Sequence, residues 1–230
     1  MRHEDQQKIW DKEHSEPTVL MQMDSREGSS GVKKFWDYLV EQDAPRERGV
    51  EMGCGKGRNV IWLAQQGVHM NGFDFSPAAI KEARIRVKEV DADSASIEVA
   101  DATQMWPYES NYFDFAIDCF ASTDIESAEG RALAVSEMHR VLKPGGLLLA
   151  YLLSTDDEFH KEMIADSPAT EPNSFFHGTG KFEKAYDASE IETLFANFEL
   201  VRNERIPKTT EFFGKDYECN HFWLVLRKSI

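Results

Sequence analysis

Gly49-Val-Glu51-Met-Gly53-Cys-Gly55-Lys-Gly57-Arg58-Asn-Val-Ile-Trp-Leu-Ala-Gln-Gln-Gly67 is the stretch that decides the fold. Residues 49–52 read as a short strand, the spaced glycines as a turn, and Val60, Leu63 and Ala64 as the apolar stripe of a helix that stops at Gly67. Glycines between a strand and a helix let the backbone pass close to a ligand at the helix N-terminus, where unpaired N–H groups gather. A dinucleotide site would place its third glycine where this chain has Arg58, which argues against NAD and hydride transfer.

Outward from that turn the two periods keep alternating. Residues 70–73, 96–99 and 113–118 read as strands, and residues 78–90 and 130–142 as helices, the second halted by Lys143-Pro-Gly-Gly. Residues 147–153 form an unbroken apolar run, as in a strand covered on both faces. On the N-terminal side Val32, Phe35, Trp36 and Leu39 recur at helical spacing up to the Asp43-Ala-Pro turn. Such alternation predicts an α/β fold with a parallel sheet and ligands at the carboxyl ends of its strands.

The two ends of the chain behave differently. A helix at residues 189–195 precedes strand patterns at 199–206 and 221–226, and the polar stretch 154–180 is long enough to be read as a lid insertion over the site. Residues 1–30 are polar except for Trp10, Val19, Leu20, Met21 and Met23, and end in Gly28-Ser-Ser-Gly31. They read as an N-terminal cap on one domain spanning residues 31–230.

With 230 residues, 41% of them hydrophobic, the chain can build one sizeable core. Its 26 Lys and Arg against 41 Asp and Glu leave a net charge of −15, which repels phosphate backbones and anionic lipids, so neither nucleic acid nor membrane is expected as a partner. No apolar run approaches the ~20 residues of a membrane helix and the polar start has no signal region, so a cytoplasmic location is expected. Cys54, Cys119 and Cys219 stand singly, and no His, Asp or Glu cluster has ligand spacing, so no metal is expected.

Beyond the glycine turn, Asp74 closes the next strand, where a carboxylate can accept from both hydroxyls of a ribose. Asp101, after the third strand, can accept from the exocyclic amine of adenine while the Ala102 amide donates to a ring nitrogen, and Phe75 offers a face for stacking. This set, Glu51-x-Gly53-x-Gly55-x-Gly57 with Asp74, Asp101, Phe113-Asp-Phe-Ala-Ile-Asp118 and Leu142-Lys-Pro-Gly-Gly, resembles the class I S-adenosylmethionine-dependent methyltransferases in order and spacing.

The resemblance implies a Rossmann-like three-layer sandwich, a seven-stranded mostly parallel sheet with an antiparallel last strand. It implies S-adenosyl-L-methionine as cofactor and S-adenosyl-L-homocysteine as product. Glu51 would hold the ammonium, Gly53, Cys54, Gly55 and Gly57 would admit the methionine chain, and Asp74, Phe75, Asp101 and Ala102 would take the nucleoside. Asp118 and Cys119 would lie beside the sulfonium. The phrase from Gly53 to Gly67 is also similar to the tellurite-resistance, thiol and thiopurine methyltransferases, which implies a small-molecule substrate with an N, O or S nucleophile.

Methyl transfer needs alignment and desolvation, with a general base only where the nucleophile must lose a proton. The base candidates are Asp118, Asp124 and His177. Cys119 reads as an inert buried thiol, and His139 as structural. Trp10 either closes over the cofactor or anchors the cap, and His160, His177, Tyr186, Tyr217 and His221 are the polar aromatic groups available to a substrate pocket. The rival readings are an S-adenosylmethionine-binding regulatory module and, against the charge, a nucleic-acid or protein methyltransferase.

Overall fold

The computed structural model describes residues 3–16 and 24–229. Val19, Leu20, Met21 and Met23 lie outside the described residues. Seven strands pair in one sheet: β1 (Arg48–Met52), β2 (His69–Asp74), β3 (Ala95–Val99), β4 (Phe113–Cys119), β5 (Leu142–Leu152), β8 (Phe198–Phe212) and β9 (Lys215–Lys228). Two short strands, β6 (Ser174–Phe176) and β7 (Phe182–Lys184), pair separately. The sheet order is β3-β2-β1-β4-β5-β9-β8, with β1 to β5 parallel and β9 antiparallel to both β5 and β8. The reversed strand is thus the last in sequence, but it is inserted between β5 and β8 and does not form the edge.

Period-two alternation divides the core into two layers. On one face Phe115, Ile117, Leu147, Leu149 and Trp223 meet Val32, Phe35 and Leu39 of α2 (Ser30–Glu41), Val60 and Leu63 of α3 (Arg58–Gln65), and Ile80 and Ala83 of α4 (Pro77–Glu89). On the other, Phe113, Ala116, Leu148, Ala150, Leu224 and Leu226 meet Ala134, Met138 and Val141 of α5 (Ala128–Val141) and Ile191 of α7 (Ala188–Leu194). The three layers follow from sequence as expected.

Two elements differ from that reading. The stretch 154–180 is not plain loop: it holds α6 (Glu158–Asp166) and β6. The terminal strands run well past 199–206 and 221–226, because Phe213 and Gly214, at φ of 52° and 78°, close a tight hairpin of the kind that needs two left-handed residues. Only residues 222–227 of β9 pair with β5, so the distal half of the hairpin extends past the sheet. There Phe159, Phe175, Tyr217 and Cys219 make a small second core, with Phe212 stacked on Phe159 at 4.0 Å.

The N-terminal helix α1 (His3–Ser15) lies over the carboxyl ends of the strands. Its fastening is specific: the Gln7 amide donates to the Phe75 carbonyl at 2.7 Å, and Asp11 Oδ1 accepts from Ser76 Oγ at 2.5 Å and from Ala78 N at 3.2 Å. Asp11 thereby satisfies an orphan N–H in the first turn of α4, where a negative charge also meets the helix dipole. Asp11→Ala is expected to cost about 1 kcal/mol of local closure. Amide exchange across residues 3–15 then rises several-fold with unchanged far-UV circular dichroism, and unchanged exchange would show that the cap is held by other contacts.

Candidate active site

One cavity of about 820 Å³ runs along the carboxyl ends of β1, β2 and β4 and under α1 and the 154–187 region. Its first end is the glycine turn. Gly53, Gly55 and Gly57 all have positive φ, and a Cβ on Gly53 would meet the Ala121 side chain at 2.4 Å, so this turn admits glycine alone at its closest approach. Lys56 points away from the turn, to Asp24 at 2.5 Å.

Carboxylates define this end. Glu51, at the end of β1, is 2% exposed, accepts from Asn59 Nδ2 at 2.6 Å through Oε1, and has no partner for Oε2. Burial pushes its pKa from 4.5 up to about 8, the Asn59 hydrogen bond opposing. Asp74 is also buried, which raises it to about 6 although Gly55 N and Ser76 N donate to its two oxygens at 2.9 Å each. Asp101 accepts from Thr103 N and Oγ1, both at 2.8 Å, and lines the cavity with Ala102 and Phe75.

The fourth strand divides its two candidates. Cys119 borders the cavity, 3.6 Å from Ser29 Oγ, and burial pushes its thiol up to about 11, in keeping with an unreactive role. Asp118 lies beneath the cavity wall, fully buried, and accepts from Ser122 N at 3.0 Å, so its carboxylate braces the turn that carries Ala121 and Asp124. It is therefore not placed to take a proton from a molecule in the cavity.

The other end of the cavity is an acid–base cluster. Lys181 Nζ, 2% exposed, lies 3.2 Å from Glu183 Oε1 and 3.4 Å from Asp124 Oδ1, and 4.7 Å from the Trp10 ring centre. His177 Nε2 is 2.8 Å from Glu183 Oε2. Burial pushes the Asp124 pKa up, whereas Lys181 and His177 hold Glu183 far below the ordinary carboxylate range against the same penalty. His160, Cys219 and His221 complete this wall, and Trp10 both lines the cavity and anchors the cap.

The structure brings Glu51, Gly53, Cys54, Gly55, Asp74, Phe75, Asp101, Ala102, Cys119, Asp124 and His177 to the cavity's lining. Gly57 sits one step back as the left-handed residue before α3. Asn59, Lys181 and Glu183 escaped the sequence reading. A polar residue inside the apolar stripe of α3 was the available signal for Asn59; for the Lys181-x-Glu183 pair there was none, because buried and solvated charges look alike in sequence.

A parallel sheet in this order, with buried acids at its carboxyl edge, is the arrangement that suits a cationic nucleoside cofactor. The comparisons with known proteins agree. Residues 50–150 match the sequence model of the family described as a methyltransferase domain. The chain is similar to an uncharacterized methyltransferase of Synechocystis, 29% identical over 119 residues that make up 51% of this chain and 53% of the relative. It is also similar to a ubiquinone/menaquinone biosynthesis C-methyltransferase of Geobacter, 31% identical over 134 residues, 55% of each chain. The chain thus spans about half the length of these curated relatives. In fold it is like the crystal structure of a methyltransferase from Methanosarcina mazei, with TM-score 0.73 and 22% identity over 84% of this chain and 98% of that one. Among the described residues no helix is long and apolar enough to cross a membrane.

The raised pKa of Glu51 has a sign that can be tested. Its neutral form is favoured in the fold, so stability is full below 4.5 and is lost as pH rises towards about 8. Glu51→Gln is expected to raise the apo melting temperature by ~2–4 °C at pH 8 and hardly at all at pH 4.5. The same change is expected to weaken S-adenosylhomocysteine at least about tenfold by calorimetry. A loss of stability at pH 8, or unchanged affinity, would overturn the assignment of this carboxylate.

Proposed function

We propose that this chain transfers the methyl group of S-adenosylmethionine to a small-molecule nucleophile enclosed between the cap helix and the 154–187 region. The observation that carries this reading is the continuity of one cavity, lined by the glycine turn at one end and by Asp124, Lys181, Glu183 and His177 at the other. Its size suits a small-ligand site, ~300–1,000 Å³.

The residues fit a cationic cofactor without phosphates. Glu51 Oε2, buried and unpartnered, would take the ammonium; Gly53, Cys54, Gly55 and Gly57 would pass the methionine chain; Asp74 keeps lone pairs for ribose hydroxyls; Asp101 and Ala102, beside Phe75, would take adenine. Bound there, S-adenosylmethionine supplies an electrophilic methyl group. The chain's own residues supply alignment, exclusion of water by Trp10 and α1, and a place for a proton. Asp124 suits the last task once ionised: burial raises its pKa to about 8, so its carboxylate is more basic than an ordinary one and the reaction is expected to quicken as pH rises through that range. Lys181, between Asp124 and Glu183, would orient the substrate.

Enclosure favours a small molecule over a polymer, and the charge of −15 disfavours phosphate polymers. The panel to screen comprises soft thiols, selenols, tellurite, compact amines and, because a relative is named as a quinone-pathway C-methyltransferase, activated ring carbons. Transfer to members of that panel, with none to RNA, DNA or basic peptides, is the expected result. Methylation of a polymer alone would overturn the substrate class, and cofactor binding without any turnover would favour a sensing role.

Two substitutions separate binding from chemistry. Asp74→Ala is expected to weaken S-adenosylhomocysteine by about 1.5–3 kcal/mol in calorimetry with the fold intact. Asp124→Asn is expected to lower kcat on the order of 100-fold and to leave that affinity within about twofold. Unchanged kcat in Asp124→Asn would remove Asp124 from the proton path.

A further inference from the structure

At the far wall of the cavity, three side chains from two distant parts of the chain converge. Asp157 stands before α6, its backbone held by the Ser154 carbonyl and its Oδ1 accepting from His160 N at 3.2 Å. Cys219 and His221 are two residues apart on β9, hence on one face of the strand. The Asp157 carboxylate, Cys219 Sγ and a His221 ring nitrogen all lie within 4.8 Å of one another, and all three residues are buried. Cys219 and His221 also line the cavity.

An independent observation concerns the second oxygen of Asp157, which lacks a close hydrogen bond. Asp157 is 0% exposed, yet its Oδ2 has no hydrogen-bond partner; His221 Nε2 lies 3.5 Å away. A buried ionised oxygen held only by long contacts of this kind gains from a cation placed among the three groups. A second layer is already in place. Tyr151 Oη is 3.5 Å from His221 Nδ1, which leaves Nε2 facing Asp157, and His160 Nδ1 is 2.7 Å from Asp157 Oδ1. Outer partners of this kind fix the ring and the carboxylate of metal ligands.

We propose that Asp157, Cys219 and His221 form a site for one soft divalent cation of the zinc class, with its fourth position open to the cavity. One thiolate, one imidazole and one carboxylate are a donor set that suits zinc, and three protein ligands with a free position are the arrangement of reactive rather than purely structural sites. Tetrahedral zinc brings ligand atoms to about 3.3–3.8 Å of each other, so the cluster contracts only slightly on loading. Lys208 is the residue paired with Cys219 across the hairpin, and it also lines the cavity. Its ammonium offers no competing ligand while protonated. Resting on the methyl-transfer reading, the open position would receive a sulfur or nitrogen donor of the substrate; the cation site itself does not depend on that reading.

The test uses the full chain, stripped with chelator and titrated with zinc against a chromogenic competitor, and separately with cobalt(II). One zinc per chain is expected, with cobalt giving a thiolate-to-metal charge-transfer band in the near ultraviolet. Cys219→Ser is expected to abolish that band and weaken zinc at least 100-fold, His221→Ala to weaken it comparably, and Tyr151→Phe to weaken it about tenfold. Retained S-adenosylhomocysteine affinity in each variant shows that the fold persists. Absence of the cobalt band in the wild type, or equal zinc affinity in Cys219→Ser and wild type, would overturn the site. Cation binding without methyl transfer would leave the site standing and remove the catalytic reading.

Discussion

Burial of carboxylates at the carboxyl edge of a parallel sheet is the constraint on which the rest of this molecule depends. Glu51 and Asp74 end neighbouring strands, and each is held above its ordinary pKa because burial outweighs the hydrogen bonds it receives. Asp118, at the end of a third, is raised to about 6 for the same reason. The fold cannot relieve this by moving the residues, since β1 pairs in parallel with β2 through residues 48–52 and with β4 through residues 49–52. A ligand that brings a positive charge relieves it instead. The strand ends thus favour an occupant that carries positive charge.

Keeping those carboxylates dry requires a roof, and the chain builds it from three separate pieces. The cap helix is pinned by Asp11 to the start of α4 and by Gln7 to the Phe75 carbonyl. Gln6 reaches the Gly180 carbonyl at 3.1 Å, so the same helix touches the segment that delivers Lys181 and Glu183. The terminal hairpin overshoots the sheet and, with α6 and β6, makes the small core around Phe159. Asn59 connects roof to floor: its Nδ2 donates to Glu51 and its Oδ1 accepts from Ser29 N at 2.8 Å, where the chain leaves the cap. Glu51 and the end of the cap thus share Asn59 as a common hydrogen-bond partner.

The Lys181 end of the cavity works by a different balance. Lys181 is buried between two carboxylates, and their charges raise its pKa against the desolvation that would lower it. Glu183 is ionised because Lys181 and His177 face it, whereas Asp124 shares the same lysine at longer range and stays high. Two carboxylates around one cation are pushed apart in proton affinity, which is the condition for giving them different tasks.

The sequence by itself determined the sheet layers and the glycine-and-acid end of the cavity. Glycines that need left-handed φ, an apolar period of two in Phe113–Cys119 and acids at successive strand ends are local properties, and each can be read where it stands. It determined less of the other end. The sequence offered His160, His177 and His221 among several rings for a pocket, and the cavity takes these three; Lys181, Glu183 and Cys219 come from segments joined only by tertiary packing, where nothing local marks them as buried. Strand length was hidden likewise, since Lys208-Thr-Thr-Glu lacks apolar alternation and is held in β8 by pairing with β9. Asp118 is the clearest case: sequence put it at the right strand end, and only the packing of Ser122 against it decided that its carboxylate faces the floor and not the cavity.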